Sequence, residues 1–368
     1  MLRFIHTADW QLGLKLRFIP DAGGADDRAA QLRAGRFEAV RAVAALAHDR
    51  QADAVLVAGD VFDDNQVGAR LLQQARDALA AFAPIPVYLL PGNHDAATPG
   101  CALSRLQAGD HVFPLLEAAP VPLPKGATLY PCPLTQRHVL SDPTGWLPPR
   151  QPEDAIRVAL AHGGVLDFGA ETETPNLIDP EAVISRGIDY LALGDWHGLK
   201  QVHPRAWYSG AHEPTRFKEL DPGKALVVEI DGPGAIPRVE AVPVAVSRWL
   251  RHEAQLSSEA DVEALEAWFA GLPERSKTLV RLKLAGQLGL RERAALDALL
   301  ERERETLAHL RLKDAALGVS PSEEDLTAFS ADGFVGAAVE ALVSAGDPSS
   351  TEALRRLYAL WHQLEGAA

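Results

Sequence analysis

The chain is poor in the groups that staple small proteins or coat polyanions. It holds only two cysteines, Cys101 and Cys132, with no CxxC pair, so neither a disulfide framework nor a cysteine-based zinc site is open to it. Positive charge is in deficit. Against 50 Asp and Glu stand 36 Lys and Arg, a formal net charge of −14, which excludes coating of nucleic acid or an anionic membrane by bulk charge. Any nucleic-acid contact must be local. No apolar run approaches the roughly 18 residues that a membrane-spanning helix needs. The opening MLRFIHTADW lacks the charged stretch, apolar run and cleavage site of a signal peptide. These absences point to a cytoplasmic protein with no membrane contact. What is present is a chain of 368 residues, 47% hydrophobic and 23% charged, enough for one large core and a smaller domain.

Over the first two-thirds, short apolar runs alternate with helical patterns, the signature of an α/β fold. Strands are expected at residues 2–6, 54–57, 87–90, 157–160, 190–193, 207–209 and 225–230, with helices over 28–50 and 71–82. The first helix carries Phe37, Val40, Val43, Ala44 and Ala47 at helical spacing. The proline-rich stretch 121–151 reads as an excursion over the sheet or as a substrate-facing loop. From about residue 249 to 313 a strand-helix-strand-helix-strand pattern reads as a βαβαβ cap. A polar linker at 318–325 then leads to two helices with apolar stripes, near 333–343 and 350–364. The organisation expected is 1–245, a capping domain at 246–317, and a linker with helical tail at 318–368.

Each strand of the first region runs into a residue type that binds metal. They lead in turn to Asp9 and Gln11 (HTADWQLG), Asp60 (VAGDVFD), Asn93 and His94 (LPGNHD), His162 (ALAHGG), and Asp195 and His197 (LGDWHG). In an open α/β sheet the ligand crevice lies beyond the carboxyl ends of the strands, so residues scattered from 9 to 197 converge. Carboxylates, amides and imidazoles gathered in this way suit two divalent ions sharing a bridging carboxylate, an arrangement that stabilises both the attacking and leaving oxygens of a phosphoester.

These five blocks resemble the calcineurin-like metallophosphoesterases, whose pattern is D-x-H, GD, GNH(D/E), H and GHxH. Within that superfamily HTADWQLG, GDVFD, PGNHD and the later YSG strand are similar to the SbcD-type DNA repair nucleases, which work with an SMC-like ATPase of SbcC type. The resemblance implies an α/β fold, a calcineurin-like phosphoesterase β-sandwich flanked by helices, with a small α/β cap and C-terminal helices. It implies metal-dependent hydrolysis of DNA phosphodiesters, with DNA and an SbcC-type coiled-coil ATPase as partners and a homodimer as the assembly. On this pattern Asp60 would bridge two divalent ions. Asp9, Gln11 and His197 would complete the first, and Asn93, His162 and Asp195 the second. His94 would protonate the leaving oxygen or stabilise the transition state, with Asp95 orienting its imidazole.

Two positions depart from the pattern: Gln11 stands where the first motif has His, and Asp195 where GHxH has its first His. Replacing two imidazoles by oxygen donors hardens the site and favours Mn²⁺, then Mg²⁺, over Zn²⁺. The third carboxylate also leaves the filled site more negative. Two outcomes follow, an active hydrolase with altered metal preference, or a silent relative that grips DNA ends or tethers the ATPase. A phosphatase on the same fold is a third reading, against which the cap and tail speak. His212, Arg216 and Lys218 are candidates for substrate contact in an otherwise acidic chain. Trp10, Trp196 and Trp207, near the motifs, either stack on an unpaired base or pack beneath the loops. The tail helices dock on the chain's own cap or fill a partner's groove.

Overall fold

The computed structural model describes residues 1–19, 27–165, 175–320 and 334–365. Alternation along the strands decides the layers. In β1 (Leu2–Thr7), Leu2 and Phe4 face one side while Ile5 faces the other. Numbering strands in chain order, β2 is Ala54–Val57, β3 Val87–Leu89, β4 Val112–Pro114, β13 Lys224–Ile230 and β14 Arg238–Pro243. They form a sheet in the order β14-β13-β1-β2-β3-β4, with β1 to β4 parallel. The second sheet runs β11 (Lys200–His203), β12 (Ala206–Tyr208), β10 (Tyr190–Gly194), β7 (Arg157–His162), β6 (Thr128–Cys132) and β5 (Val121–Pro122). A two-stranded ribbon, β8 (Gly164–Val165) and β9 (Leu177–Ile178), follows β7.

The two sheets face each other across one core, where Phe4, Leu56 and Val228 meet Leu129, Val158, Leu160 and Tyr190. The outer face of the first sheet is covered by helices α1 (Arg28–Asp49) and α2 (Ala69–Leu79). There Val40, Val43 and Ala47 pack on Ile5, Val55 and Val57. The outer face of the second packs against α3 (Pro180–Ser185) through Val183. His6 ties the sheets together: its Nε2–H donates to the Leu193 carbonyl at 3.2 Å, and Tyr190 Oη donates to its Nδ1 at 3.0 Å. Parallel registers bring the carboxyl ends of β1 and β2, and those of β7 and β10, to common edges, with Thr7 opposite Val57 and His162 opposite Gly194.

By its internal contacts the chain divides into Met1–Ser247 and Arg248–Ala368. The second unit has the expected alternation: β15 (Arg248–Leu256), α4 (Glu259–Ala270), β16 (Thr278–Leu288), α5 (Leu290–Thr306) and β17 (His309–Val319), with the three strands parallel. Two further helices, α6 (Phe334–Ala345) and α7 (Pro348–Glu365), pack on α5. Val339, Leu354 and Tyr358 surround Leu290, and Arg355 pairs with Asp297. Of the two readings for the tail, docking on the chain's own helix is what this apolar face does, although Phe334 and Leu360 stay exposed.

Two sequence expectations change. The stretch 121–151 is no mere excursion, because β6 lies inside it and sends Leu129 into the inter-sheet core. Only five residues long, with Pro131 inside it and Pro133 just after it, it carries too short an alternation to announce a strand. The linker expected at 318–325 begins later, since β17 runs to Val319, and most of it lies outside the described residues. Among the described residues no helix is long and apolar enough to cross a membrane.

Candidate metal centre

The loops that leave the strands hold their ligand-type residues in unusual backbone conformations. Asp9 (φ 53°), Gln11 (φ 41°), Asp60 (φ 52°) and Asp195 (φ 100°) all lie at positive φ without being glycine. Each such residue costs about 1–2 kcal/mol relative to ordinary backbone, and four together in one place mark a site whose geometry is imposed by its surroundings. Asp9 N–H donates to the Gly59 carbonyl at 3.1 Å and Gln11 N–H to the Asp60 carbonyl at 2.8 Å, so the first two loops are locked to each other. Gly59, at φ 89°, is required for close approach as well as for its backbone: a Cβ there would stand 2.1 Å from Nδ1 of His162.

The donors converge. Asp9, Asp60 and His162, all buried, offer ligand atoms within 4.8 Å of one another. Asp60 divides its two oxygens. Oδ1 lies 3.5 Å from His162 Nε2, while Oδ2 faces the Gln11 amide at 3.4 Å and His94 Nε2 at 4.0 Å. That division is what a bridging carboxylate needs. On the His162 side, Asp195 Oδ1 lies 3.8 Å from Nε2. The Asn93 amide reaches the same nitrogen at 3.0 Å with its oxygen inward; turned over, its nitrogen donates there and to both Asp60 oxygens at 3.3 Å. On the other side Gln11 Nε2 stands 3.4 Å from His197 Nε2, and His197 Nε2 lies 3.9 Å from Asp9 Oδ1. All seven residues expected to bind metal are therefore brought together, Gln11 and His197 beside Asp9 and Asn93 and Asp195 beside His162, as the resemblance implied.

The electrostatics are those of a cation site. Burial alone would lower the His162 pKa, yet the facing carboxylates of Asp60, Asp9 and Asp195 outweigh it and push it up to about 9. Asp9 is pushed up to about 6, chiefly by burial, against the pull of His197 and His162. Such a cluster holds more negative charge than its neutral surroundings tolerate, and divalent cations satisfy it. The hydrogen bonds fit too. His162 Nδ1–H donates to the Ala58 carbonyl at 2.8 Å, and His197 Nδ1–H donates to Glu219 Oε1 at 2.8 Å and Thr215 Oγ1 at 2.9 Å, so each Nε2 would give its lone pair inward once a cation displaces its proton.

Glu219 and Thr215 went unnoticed in the sequence. Burial would raise the Glu219 pKa, but its bonds to His197 and Thr215 hold it below the ordinary carboxylate value. Nothing in TRFKE distinguishes Glu219 from a surface residue, whereas its alternation with exposed Arg216 and Lys218 would have placed it inward. Arg36 was equally hidden. Buried on α1, it donates to the carbonyls of Trp10 at 2.6 Å and Glu213 at 3.2 Å, bracing the first ligand loop from below.

Two expected roles are corrected. Asp95 does not orient His94: fully buried, it accepts from Gly92 N–H at 2.7 Å and Phe62 N–H at 3.0 Å, and so clamps the second and third ligand loops together. The neighbour of His94 is Asp63, the last residue of GDVFD, whose carbonyl accepts from His94 Nδ1–H at 2.8 Å and whose carboxylate lies 3.7 Å away. His212 does not reach the surface. It is buried against Trp10, its Nε2–H donates to the Arg36 carbonyl at 2.9 Å, and it has no face left for a substrate. Arg216 and Lys218 are exposed and line a cleft beside the donors with Asp195, Trp196, His197 and Leu220. Trp10 is buried and Trp207 packs on the inter-sheet core, but Trp196 is 45% exposed.

A family model for calcineurin-like phosphoesterase matches residues 2–199, over half of the chain. The chain belongs to the calcineurin-like phosphoesterases. It is 25% identical over 274 residues to the SbcD component of the nuclease SbcCD of Bacillus subtilis (strain 168), covering 63% of this chain and 67% of that protein. It is 29% identical over 278 residues to the DNA double-strand break repair protein Mre11 of Aeropyrum pernix, covering 66% of this chain and 61% of that protein. The uncharacterized metallophosphoesterase YhaO of Bacillus subtilis is 26% identical over 247 residues, or 63% of this chain and 58% of that protein. The chain thus matches about three-fifths to two-thirds of the length of these curated relatives. As a calcineurin-like phosphoesterase it is a metal-dependent hydrolase of phosphoester bonds, and the donor set described above suits the divalent ions that this family uses.

Proposed function

We propose that this calcineurin-like phosphoesterase hydrolyses DNA phosphodiesters with Mn²⁺, or less well Mg²⁺, as the nuclease component of an SbcCD-like complex in the cytoplasm. The observation that carries the proposal is the pair of donor sets flanking Asp60, Asp9–Gln11–His197 and Asn93–His162–Asp195, with His94 at their rim. Its named relatives, a component of a nuclease and a double-strand break repair protein, supply the substrate class. When bound, the ions supply Lewis acidity and an acidified water. The chain's own residues do the rest. Asp60 divides its carboxylate between the two positions, while Glu219 and the Ala58 carbonyl fix the imidazoles that close each of them. His94 keeps Nδ1–H on Asp63, which aims Nε2 at the cluster. When protonated it is flanked by the carboxylates of Asp60 and Asp63 and hands its Nε2 proton to the leaving oxygen.

In this reading residues 1–245 hydrolyse, 246–317 cap, and 318–368, whose buried stripe docks on α5, engage an SMC-like coiled-coil ATPase through the exposed Phe334 and Leu360, with a homodimer as the working assembly. Purified Asp60→Ala tests it: cleavage of end-labelled DNA is lost along with bound Mn²⁺, whereas retained cutting contradicts the reading. Full activity on phosphomonoesters with none on DNA selects a phosphatase instead. A second reading, a silent protein that binds DNA ends or tethers the ATPase, is favoured by the Gln11 amide, which donates to Asp60 where the pattern has an imidazole.

A further inference from the structure

We propose that the cleft beside the metal centre seats a single unpaired nucleotide, with the Trp196 indole as its stacking surface and Arg216 and Lys218 as its phosphate contacts. The proposal rests on the reading of the chain as a DNA hydrolase. Trp196 lies between Asp195 and His197, two of the donors, so whatever stacks on it is within one nucleotide of the reacting phosphate. The indole is 45% exposed and Leu220, on the same cleft, is 59% exposed. Two large apolar side chains left to water side by side at an active site mark a ligand contact better than a packing accident.

The local geometry shows how they come together. A Cβ on Gly198 would stand 2.1 Å from the Leu220 carbonyl oxygen and 3.1 Å from the Trp196 indole nitrogen, so only glycine lets the two segments close. Along 215–219 the chain alternates, with Phe217 buried and Glu219 bonded to His197, while Arg216 and Lys218 point outward. One short segment therefore fixes a metal-ligand imidazole on one side and presents two cations on the other. Neither cation has a carboxylate partner among the described residues, and Lys200 Nζ sits over one face of the Trp196 ring, 5.4 Å from its centroid, so a base stacks on the opposite face or displaces this side chain.

The chemistry selects the ligand. Cations recognise phosphate, and an exposed indole recognises the face of a planar ring, a combination that a nucleotide satisfies. The cleft, about 240 Å³, is smaller than the roughly 300–1,000 Å³ of sites for drug-sized ligands, which suits one ring. A base inside a duplex has both faces covered, so the seat takes a nucleotide only from a single-stranded tail or a frayed end. Phosphates alone serve an intact duplex.

Fluorescence anisotropy tests this with a labelled blunt duplex and the same duplex carrying a single-stranded tail, both bound to Mn²⁺-loaded His94→Ala protein so that neither is cut. Adding Trp196→Ala should weaken the tailed DNA about tenfold or more and the blunt DNA less than about twofold, and Trp196→Phe should restore most of the loss. Replacing both Arg216 and Lys218 by Ala should flatten the salt dependence of tailed binding by about 1.4 in log–log slope, near 0.7 per phosphate contact. Equal weakening of both DNAs by Trp196→Ala, or weakening of neither, overturns the proposal and leaves the hydrolase reading standing. Failure of the protein with Trp196 intact to bind either DNA overturns that reading as well.

Discussion

Gln11 and Asp195 separate this chain from the pattern it resembles, and their neighbours indicate how. Gln11 has only a carbonyl oxygen to give a metal, and its amide nitrogen lies near Asp60 and His197, contacts it must surrender on turning. Asp195 instead adds an anion beside His162. The two positions should therefore differ in grip, tight around Asp60, Asn93, His162 and Asp195 and loose around Asp9, Gln11 and His197. Elemental analysis after gel filtration should find about one Mn²⁺ per chain, rising toward two in Gln11→His; equal occupancy in both proteins contradicts the difference. Asp95 is a different case. Its removal leaves the buried N–H groups of Gly92 and Phe62 without an acceptor, so Asp95→Ala should lose about 2–4 kcal/mol in urea unfolding. Asp63→Ala should cost less than about tenfold in kcat, since the bond to His94 runs to its main-chain carbonyl. These roles were only half legible. Asp60, Asn93 and His162 stand out because strand ends in an α/β sheet converge. Glu219, Asp63 and Arg36 reach the site across loops and a helix, by contacts that sequence spacing does not encode.

At the level of elements, the longest periodic runs were the most readable. α1 and the strands at 54–57 and 225–230 carry enough apolar residues to declare their layer, and they lie where the pattern put them. β6 and β11 did not declare themselves, whereas β12 lies close to the strand expected at 207–209: β6 and β11 are short and lie next to prolines, and they are strands because β7 and β5 pair with the first and β12 with the second. His6 on β1 makes the sandwich sensitive to acid. Burial lowers its pKa from 6.5 to about 3, against the bond to the Leu193 carbonyl, so between those values the unfolded chain holds a proton that the folded chain does not. Stability is therefore lost as pH falls from about 6.5, by about 2 kcal/mol between about pH 7 and about pH 5. Because buried His212 is shifted down in the same way, the two proteins are compared: between about pH 7 and about pH 5 the natural chain should lose about 2 kcal/mol more than His6→Gln in urea unfolding, and parallel slopes in the two proteins count against it.

At the scale of the molecule, a chain with net charge −14 can meet a polyanion only locally, and in the proposed reading it does so through a few cations beside the metal centre. The 36 basic residues are outnumbered, and many are engaged with carboxylates, as Arg150 is with Asp189 and Arg293 with Asp314. DNA binding should accordingly have a shallow salt dependence. In the second unit the tail helices close over Leu290, so Leu354→Ala should destabilise that unit by about 2–5 kcal/mol while Mn²⁺ binding by the first unit stays unchanged. The central claim, that Asp60 and its neighbours make a metal-dependent DNA hydrolase with His94 at the leaving oxygen, has one most direct test. End-labelled single- and double-stranded DNA is given to the natural chain and to His94→Ala in Mn²⁺, Mg²⁺ or Zn²⁺, with a chelator control. Cutting in Mn²⁺ that chelator abolishes and His94→Ala reduces by about a hundredfold or more is the expected result. No cutting in any metal, or equal cutting by both proteins, would contradict it.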